Sequence, residues 1–215
     1  MPEERPGPEG GRRHANRLAR TRALCEAAVT RFLADGLDAV TIDEVARAAD
    51  VSKGSFYRYF QNKEELIGAV FAPIGAEIRD AMGACAVALE AAREEPELTA
   101  AYGLLAARLL GVLGTQPEVI RLFLQERHGP ATPARAAILA LDAEVVELAV
   151  RLTHAGQASG LLRRVDPRVS ATLVLGGVHE LLWRTFLGTG PDDPVASAQQ
   201  LIDIVLHGVR APAER

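Results

Sequence analysis

Apolar residues recur three and four positions apart along most of the chain, the spacing that places them on one face of an α-helix. A convincing alternation of apolar and polar residues, which would be typical of strands, is missing. The pattern therefore predicts an all-α protein of about nine helices, three within residues 16–61 and six within residues 62–215. Residues 1–15 are rich in Pro, Gly and Glu without apolar periodicity, so they predict a disordered tail.

The first two helices have recognisable ends. One is expected over about residues 16–35, where Gly36 stops it. Thr41 and Glu44 have the spacing of a capping box, so a second, two-turn helix begins there. Small residues at Ala48 and Ala49 would then let it cross the third helix closely, as in a helix-turn-helix.

The run from Val51 to Phe60 carries the most chemical information. Read as a short helix capped by Ser52, it places Phe56 and Phe60 one turn apart on an inward face. The outward residues combine cations for phosphates with hydroxyls for phosphates or bases: Lys53, Ser55, Tyr57, Arg58 and Tyr59. Gly54 removes a side chain where backbone would approach a duplex.

From Thr41 to Leu66 the sequence resembles TetR/AcrR-family transcriptional regulators. Their pattern runs from a Thr-capped helix through an Ala-Ala turn to Val-Ser-Lys-Gly-Ser-Phe-Tyr-Arg-Tyr-Phe and on to Lys-Glu-Glu-Leu, and this chain follows it closely. One position departs, because the turn often carries Gly in that family and here is Asp50. Since Asp adopts left-handed backbone more readily than most residues, we expect a small loss of stability and no change of fold.

The resemblance implies a DNA-binding domain over residues 16–61 that reads an inverted-repeat operator. Two such heads held by a symmetric homodimer reach half-sites roughly 35 Å apart. By transfer from matching family positions, base or near-base contacts are assigned to Lys53, Ser55 and Tyr57. Phosphate contacts are assigned to Arg22, Thr41, Tyr59 and Lys63, and the expected DNA-binding surface also includes Ser52, Gly54 and Arg58.

The distribution of charge agrees with this placement. The chain of 215 residues carries a net charge of −4, but residues 12–63 hold ten Arg or Lys against six Asp or Glu, giving +4. Residues 1–11 carry −2 and residues 64–215 the remaining −6. Positive charge therefore coincides with the helix-turn-helix, as phosphate binding requires.

Prolines just inside helix starts, and glycines or turn residues after helix ends, divide the rest of the chain. They predict six helices over residues 62–93, 96–114, 117–128, 132–159, 167–187 and 193–210. Pro73 should kink the first of these. With the resemblance, this part is expected to be an effector-binding and dimerisation domain.

The last two helices are the predicted dimer interface. The penultimate helix begins with an uncharged run that suits a helix covered on both faces, and the last carries a broad apolar stripe. A purely intramolecular core would give the same pattern. The interface residues expected are Leu173, Gly176, Gly177, Glu180, Trp183, Arg184, Leu201 and Val205.

The resemblance also implies a small-molecule effector that releases the protein from DNA, so that the protein acts as a repressor. Candidate pocket residues are Phe71, Ile78, Met82, Tyr102, Leu109, Phe123, Gln125, His128 and His179. Few aromatic residues follow residue 67, which favours an apolar aliphatic or mixed ligand over a stacked polyaromatic one.

Other classes of function find less support. Neither metal-ligand spacing nor a nucleophile turn is recognisable, so neither an enzyme nor a cofactor is expected. A cleavable leader and an uncharged membrane-spanning run are also missing, which predicts a cytoplasmic protein without membrane contact. Two alternatives remain: a dimeric DNA-binding regulator without effector, modulated through Cys25 or Cys85, and a helical small-molecule-binding protein that no longer reads DNA.

Overall fold

The computed structural model describes residues 11–209, and over this range it consists of nine α-helices and one short 3₁₀ turn. The helices are α1 (Arg12–Asp35), α2 (Ile42–Ala48), α3 (Lys53–Phe56), α4 (Lys63–Ala91), α5 (Glu95–Thr115), α6 (Pro117–Glu126), α7 (Ala136–Ala158), α8 (Pro167–Phe186) and α9 (Pro194–Val209). The 3₁₀ turn, Pro133–Arg135, leads directly into α7. The predicted all-α class is confirmed.

Two boundaries differ from the sequence prediction. Helix α1 begins at Arg12, four residues early, because the Arg and Ala residues there are good helix formers. Residues 12–15 are therefore helical rather than part of a tail, and residues 1–10 lie outside the described part of the chain. The helix expected from residue 132 starts instead as the 3₁₀ turn and becomes α-helical at Ala136.

Helices α1–α3, hereafter the head, pack around a small core. Its centre is formed by Leu24, Phe32, Val45, Phe56 and Phe60, none more than 4% exposed. The predicted inward face of the third helix is therefore confirmed, and the rings of its two phenylalanines lie 5.7 Å apart. The α-helix itself spans only four residues, after which the chain continues as a tight turn.

The turn between α2 and α3 explains the departure from the family pattern. Asp50 has a φ of 55°, which is left-handed backbone that glycine adopts without strain and Asp at moderate cost. The capping box before α2 is confirmed as well. The Glu44 backbone N–H donates to the Thr41 hydroxyl at 3.3 Å, and the Thr41 N–H donates to the Glu44 carboxylate at 2.8 Å.

Helix α4 joins the head to the remaining helices, hereafter the body. It has 29 residues and packs on α1 near its start and on α5 and α7 further along. Pro73 lies inside it and cannot donate the usual backbone hydrogen bond, although the kink expected there stays a prediction. A continuous apolar core runs from the head through Phe71 and Ile74 of α4 to Ile138 of α7. Head and body therefore share one core.

The body closes with α8 packed on α7, and α9 packed on α5. Among the described helices, α5 is long and apolar enough to cross a membrane by length and composition, with a mean hydropathy of 1.4 over its most apolar 18 residues. In the structure it packs against α4 and α9, and its inner side faces an internal cavity.

Candidate DNA-binding surface and effector cavity

The outer side of α3 presents three of the five residues predicted to face DNA. Lys53, Tyr57 and Arg58 are exposed, with half of the Tyr57 surface accessible. Ser55 and Tyr59 are half-buried instead, and Tyr59 packs against the head core. The prediction that both phenols point outward is therefore correct for Tyr57 and only partly so for Tyr59.

Lys53 makes an ion pair with Asp43 of α2, at 2.9 Å between Nζ and Oδ1. The hydrogen bond to Asp43 raises the pKa of Lys53, so the ammonium remains charged. Because both side chains are about half exposed, the pair contributes little stability and can open at low cost. Lys53 is thus free to exchange its carboxylate partner for a phosphate or a guanine edge.

Two serines and an arginine form a chain of hydrogen bonds along α3. Two hydrogen bonds join Ser52 and Ser55. The Ser52 hydroxyl oxygen accepts from the Ser55 backbone N–H at 3.2 Å, and the Ser52 hydroxyl donates to the Ser55 hydroxyl oxygen at 3.0 Å. Arg58 also donates to the Ser55 oxygen, at 2.8 Å. The Ser55 hydroxyl proton remains available to a base or phosphate oxygen.

Two residues expected to hold phosphates already have partners within the head. Arg22 pairs with Glu26 at 2.7 Å, with 82% of the arginine side chain exposed, so that contact is easily exchanged. The Thr41 hydroxyl is engaged by Glu44 in the capping box. A phosphate contact by Thr41 would therefore add to a structural role.

Gly54 is not required by packing inside the chain. A Cβ built at this position meets no atom within 4 Å, and the backbone is helical without a positive φ. Glycine costs a helix stability relative to alanine. Packing within the described part of the chain therefore does not explain a glycine at this exposed position.

Lys63 has a structural role that the sequence did not indicate. Its ammonium group donates to the backbone carbonyls of Leu37 at 2.7 Å, Val40 at 2.8 Å and Asp38 at 3.3 Å. These bonds tie the start of α4 to the loop after α1, and they occupy all three donors. The predicted phosphate clamp would have to displace one of them.

We expect Lys63→Ala to lower the free energy of unfolding by about 2 kcal/mol, because three carbonyls lose a charged donor. Urea unfolding at fixed protein concentration measures this, with Lys63→Met as a control that keeps the aliphatic stem without the charge. Equal losses in both variants assign the effect to the ammonium, whereas unchanged stability would contradict the structural role. A decrease of about one in the salt slope of DNA binding would report the phosphate contact separately.

A buried arginine links the head to the body. Arg135, in the 3₁₀ turn, pairs with buried Glu126 at the end of α6, at 2.7 Å, and also with Asp38 in the loop after α1. Gly129 leaves room for it, since a Cβ there would lie 2.3 Å from the Arg135 Nε. The Asp38 loop is therefore held by Lys63 on one side and by Arg135 on the other.

The body contains a partly open cavity of about 300 Å³ between α4, α5, α7, α8 and α9, with α6 at one end. Its walls are predominantly aliphatic. Six of the nine predicted pocket residues line it: Ile78, Met82, Tyr102, Leu109, Phe123 and His179. The structure brings these six residues together, and their role in ligand binding stays a prediction.

The other three predicted pocket residues do not line the cavity. Phe71 is buried in the core shared by head and body, where its ring meets that of Phe123 edge-on at 6.5 Å. Gln125 is exposed on α6 and contacts Glu126, and His128 is exposed in the turn after α6 and contacts Arg127. A helix has two sides, and the sequence did not reveal which one faces the void.

The cavity also has polar wall residues that sequence reasoning missed, namely Thr153, Arg163, Ser170, Thr185 and Ser197. The predicted wall residues that carry a polar group are Tyr102 and His179. Burial lowers the pKa of His179 to about 4, helped by the nearby Arg127 cation, so its ring is neutral at physiological pH. Its Nδ1 atom is buried without a hydrogen-bond partner.

The outer face of α8 is apolar and uncovered. Val169 and Leu173 are 66% and 71% exposed, and Gly176, Glu180 and Arg184 continue the same exposed stripe. On α9, Ile204 is 69% exposed. Four of the predicted interface residues, Leu173, Gly176, Glu180 and Arg184, thus lie on an open face.

The other four predicted interface residues are half-buried within their own chain. Leu201 and Val205 line the cavity, and a Cβ at Gly177 would contact Leu201 at 3.5 Å. Trp183 is half-buried against the core. The apolar stripe of α9 therefore serves mainly the cavity, because α9 packs on α5 rather than standing apart.

Both cysteines are shielded thiols. Burial raises the pKa of Cys25 and of Cys85 to about 11, and the Cys85 thiol donates to the Ala101 carbonyl at 3.6 Å. A thiol with so high a pKa is protonated at physiological pH and reacts slowly with oxidants. The arrangement gives little support to redox control.

Comparisons with known proteins agree with the two-part architecture. Residues 24–70 match the family model of bacterial regulatory proteins of the tetR family, and residues 103–209 match that of the tetracyclin repressor-like C-terminal domain. An uncharacterized HTH-type transcriptional regulator of Bacillus subtilis, YhgD, is 27% identical over 74% of this chain and 80% of its own length.

Solved structures of low sequence identity share the fold. A complex of SmeT with triclosan has a TM-score of 0.70 at 17% identity, covering 91% of this chain and 93% of that one. NalD, the secondary repressor of an efflux pump in Pseudomonas aeruginosa, has a TM-score of 0.68 at 19% identity, covering 91% and 98%. With a family model matching each part, the chain belongs to the TetR family of bacterial transcriptional regulators.

Proposed function

We propose that this protein is a ligand-responsive repressor that binds an inverted-repeat operator as a homodimer and is released when a small apolar molecule fills the body. The observation that carries the proposal is the cavity of about 300 Å³, which is large enough for a small ligand. The assignment of DNA-binding residues follows the exposed side of α3, with Lys53, Tyr57 and Arg58 at its centre.

Helix α4 is the physical route from cavity to head. Ile74, Ile78 and Met82 of this helix line the cavity, and Lys63 at its start holds the loop after α1. A ligand that moves α4 therefore moves the head. The dimer then has two states, one whose head spacing matches the operator and one whose spacing does not. The ligand must bind the second state more tightly, because equal affinity for both would leave their populations unchanged.

The homodimer is supported by the open face of α8. An apolar stripe with Leu173 at 71% exposure is unfavourable in water and suits a twofold-related copy of the same helix. Two structural neighbours support the effector and the direction of regulation, since SmeT forms a complex with triclosan and NalD is a repressor. DNA as target places the action in the cytoplasm.

The two alternatives are less well supported. A helical small-molecule-binding protein that no longer reads DNA would not need an exposed cation and an exposed phenol on the expected DNA-binding surface. Both are present, at Lys53 and Tyr57. Control by thiol oxidation requires reactive cysteines, and burial raises the pKa of both Cys25 and Cys85.

The DNA-binding role is tested at Gly54. Gly54→Ala should raise thermal stability slightly, because alanine is the better helix former and its Cβ meets nothing within 4 Å. Operator affinity should nevertheless fall, by roughly tenfold, if duplex backbone lies against this position. Operator fragments are first identified by sequencing the genomic DNA that the purified protein retains. Fluorescence anisotropy then measures the affinity of the unaltered and Gly54→Ala proteins for these fragments.

Gly83→Ala is the matched control. Gly83 lies within α4, away from the head, and a Cβ there also meets nothing within 4 Å. It should show the same gain in thermal stability with unchanged operator affinity. Equal affinity of the Gly54→Ala and Gly83→Ala proteins for the operator would refute the placement of α3 against DNA.

A further inference from the structure

The cavity is elongated along the helices that enclose it. Its wall residues on α8 run from Ser170 to Thr185, fifteen positions that correspond to about 22 Å of helix at 1.5 Å per residue. On α5 they run from Tyr102 to Leu113, and on α9 from Pro194 to Leu206. A long void with aliphatic walls fits a chain-like molecule better than a compact ring system.

The charges of the wall restrict the ligand further. Neither Asp nor Glu is among the wall residues, and the one Arg or Lys is Arg163, whose side chain is exposed. An ammonium group inside would therefore lack a counter-charge, and a buried carboxylate would have to leave water without a buried cation to meet it. The interior is suited to an uncharged molecule.

One group of hydroxyl-bearing wall residues lies where α8 begins, whereas two others, Thr185 and Ser197, already donate to the Leu181 and Asp193 carbonyls. The Tyr102 hydroxyl lies 3.7 Å from the position that a Cβ on Gly156 would take, and Gly156 is one turn beyond Thr153 on α7. The Thr153 and Ser170 hydroxyls lie at hydrogen-bond distance, 3.2 Å, across to α8. Three hydroxyl-bearing wall residues therefore approach one another where α5, α7 and the start of α8 meet.

Tyr102 is the member of this group that is free to bind a ligand. Thr153 is engaged with Ser170 and with the Ala149 carbonyl, whereas the Tyr102 hydroxyl has no hydrogen-bond partner among the described residues. Burial raises the pKa of Tyr102, so the phenol is neutral and can donate its proton. A phenol shielded from water is stabilised by an acceptor that a ligand can supply.

We propose that the cavity binds an uncharged, extended aliphatic molecule with a hydroxyl or carbonyl group at one end, and that the Tyr102 hydroxyl donates a hydrogen bond to that group. The aliphatic chain then lies along α8 towards Phe123 and His179. This inference rests on the proposed role of the cavity as the effector site. It adds the chemical class of the ligand and the residue that orients it.

The test compares ligands of one chain length with different head groups, using calorimetry and thermal shift on the full-length protein without DNA. Decan-1-ol should bind and stabilise the fold, decanoate should bind at least tenfold more weakly, and decylamine should not bind. Adamantan-1-ol, a compact alcohol, should bind more weakly than decan-1-ol.

Two variants locate the head group. Tyr102→Phe removes one oxygen and should weaken decan-1-ol binding roughly three- to tenfold, the effect of one hydrogen bond, with the melting temperature of the free protein nearly unchanged. Arg164→Gln, an exposed position outside the cavity wall, should leave decan-1-ol binding unchanged. If decanoate binds more tightly than decan-1-ol and loses affinity in Arg163→Gln, the ligand is an anion held at the rim and the proposal is wrong.

Other outcomes separate this inference from the proposed function. Equal decan-1-ol affinity in the Tyr102→Phe and unaltered proteins would overturn the role of Tyr102, and failure of all the alcohols to bind would overturn the ligand class. Operator binding in the Gly54→Ala experiment is unaffected by either result. Conversely, if decan-1-ol binds as expected but leaves operator affinity unchanged, the ligand class stands and release by the effector fails.

Discussion

Replacing Arg135 with methionine is expected to lower the free energy of unfolding by about 3–5 kcal/mol, the cost of leaving a buried charge without its partner. In the structure Glu126 is buried with Arg135 as its ion-pair partner, at 2.7 Å. Methionine fills a similar volume, so the loss comes mainly from the orphaned carboxylate. Urea unfolding at fixed protein concentration measures it, since dimer stability varies with concentration.

Two further variants separate the contributions of Glu126 and Asp38 to this loss of stability. The double variant Arg135→Met with Glu126→Leu removes both charges and should recover most of the loss. Asp38→Asn removes the half-exposed arm of the network and should cost less than about 1 kcal/mol. A double variant as unstable as Arg135→Met alone would show that the ion pair itself, rather than the orphaned charge, stabilises the protein.

Leu173→Glu is expected to abolish operator binding at concentrations where the unaltered protein is fully bound, a loss of at least about a hundredfold. The reason is geometric, because a single head contacts one half-site and loses the second set of contacts. Facing copies of α8 would bring the two introduced carboxylates together, where like charges repel. Light scattering after gel filtration should show a monomer, and circular dichroism should show an unchanged helix content.

Val87→Glu provides the matched control. Val87 is 68% exposed on α4, close to the 71% of Leu173, so the substitution makes the same chemical change on a different surface. The Val87→Glu protein should remain dimeric and bind the operator normally. Dimerisation of the Leu173→Glu protein would place the interface elsewhere on the body.

The sequence predicts the helices well, since their signals are local. Apolar spacing, proline at helix starts and the Thr41 capping box all lie within a few residues of the features they specify, and the inward face of Phe56 and Phe60 followed from spacing alone. Asp50 shows the same principle, because its left-handed φ was expected from the turn position.

The cavity and the dimer face depend on how the helices are rotated against one another, which no local pattern records. Leu173 and Leu201 are both apolar positions of the last two helices, yet Leu173 faces outward and Leu201 faces the cavity. Phe71 was similarly ambiguous and proved to be core. The ion pair between Asp38 and Arg135 joins residues 97 positions apart, beyond the reach of any motif.

The anchoring of the Asp38 loop has a practical consequence for building chimeric regulators. The DNA-binding domain predicted from the sequence ends at residue 61, which invites a graft of that segment onto a foreign sensor. Both side chains that fasten its loop, Lys63 and Arg135, come from beyond that junction. A hybrid with altered operator choice therefore needs either these two anchors carried along with the graft, or a recipient that already supplies equivalents.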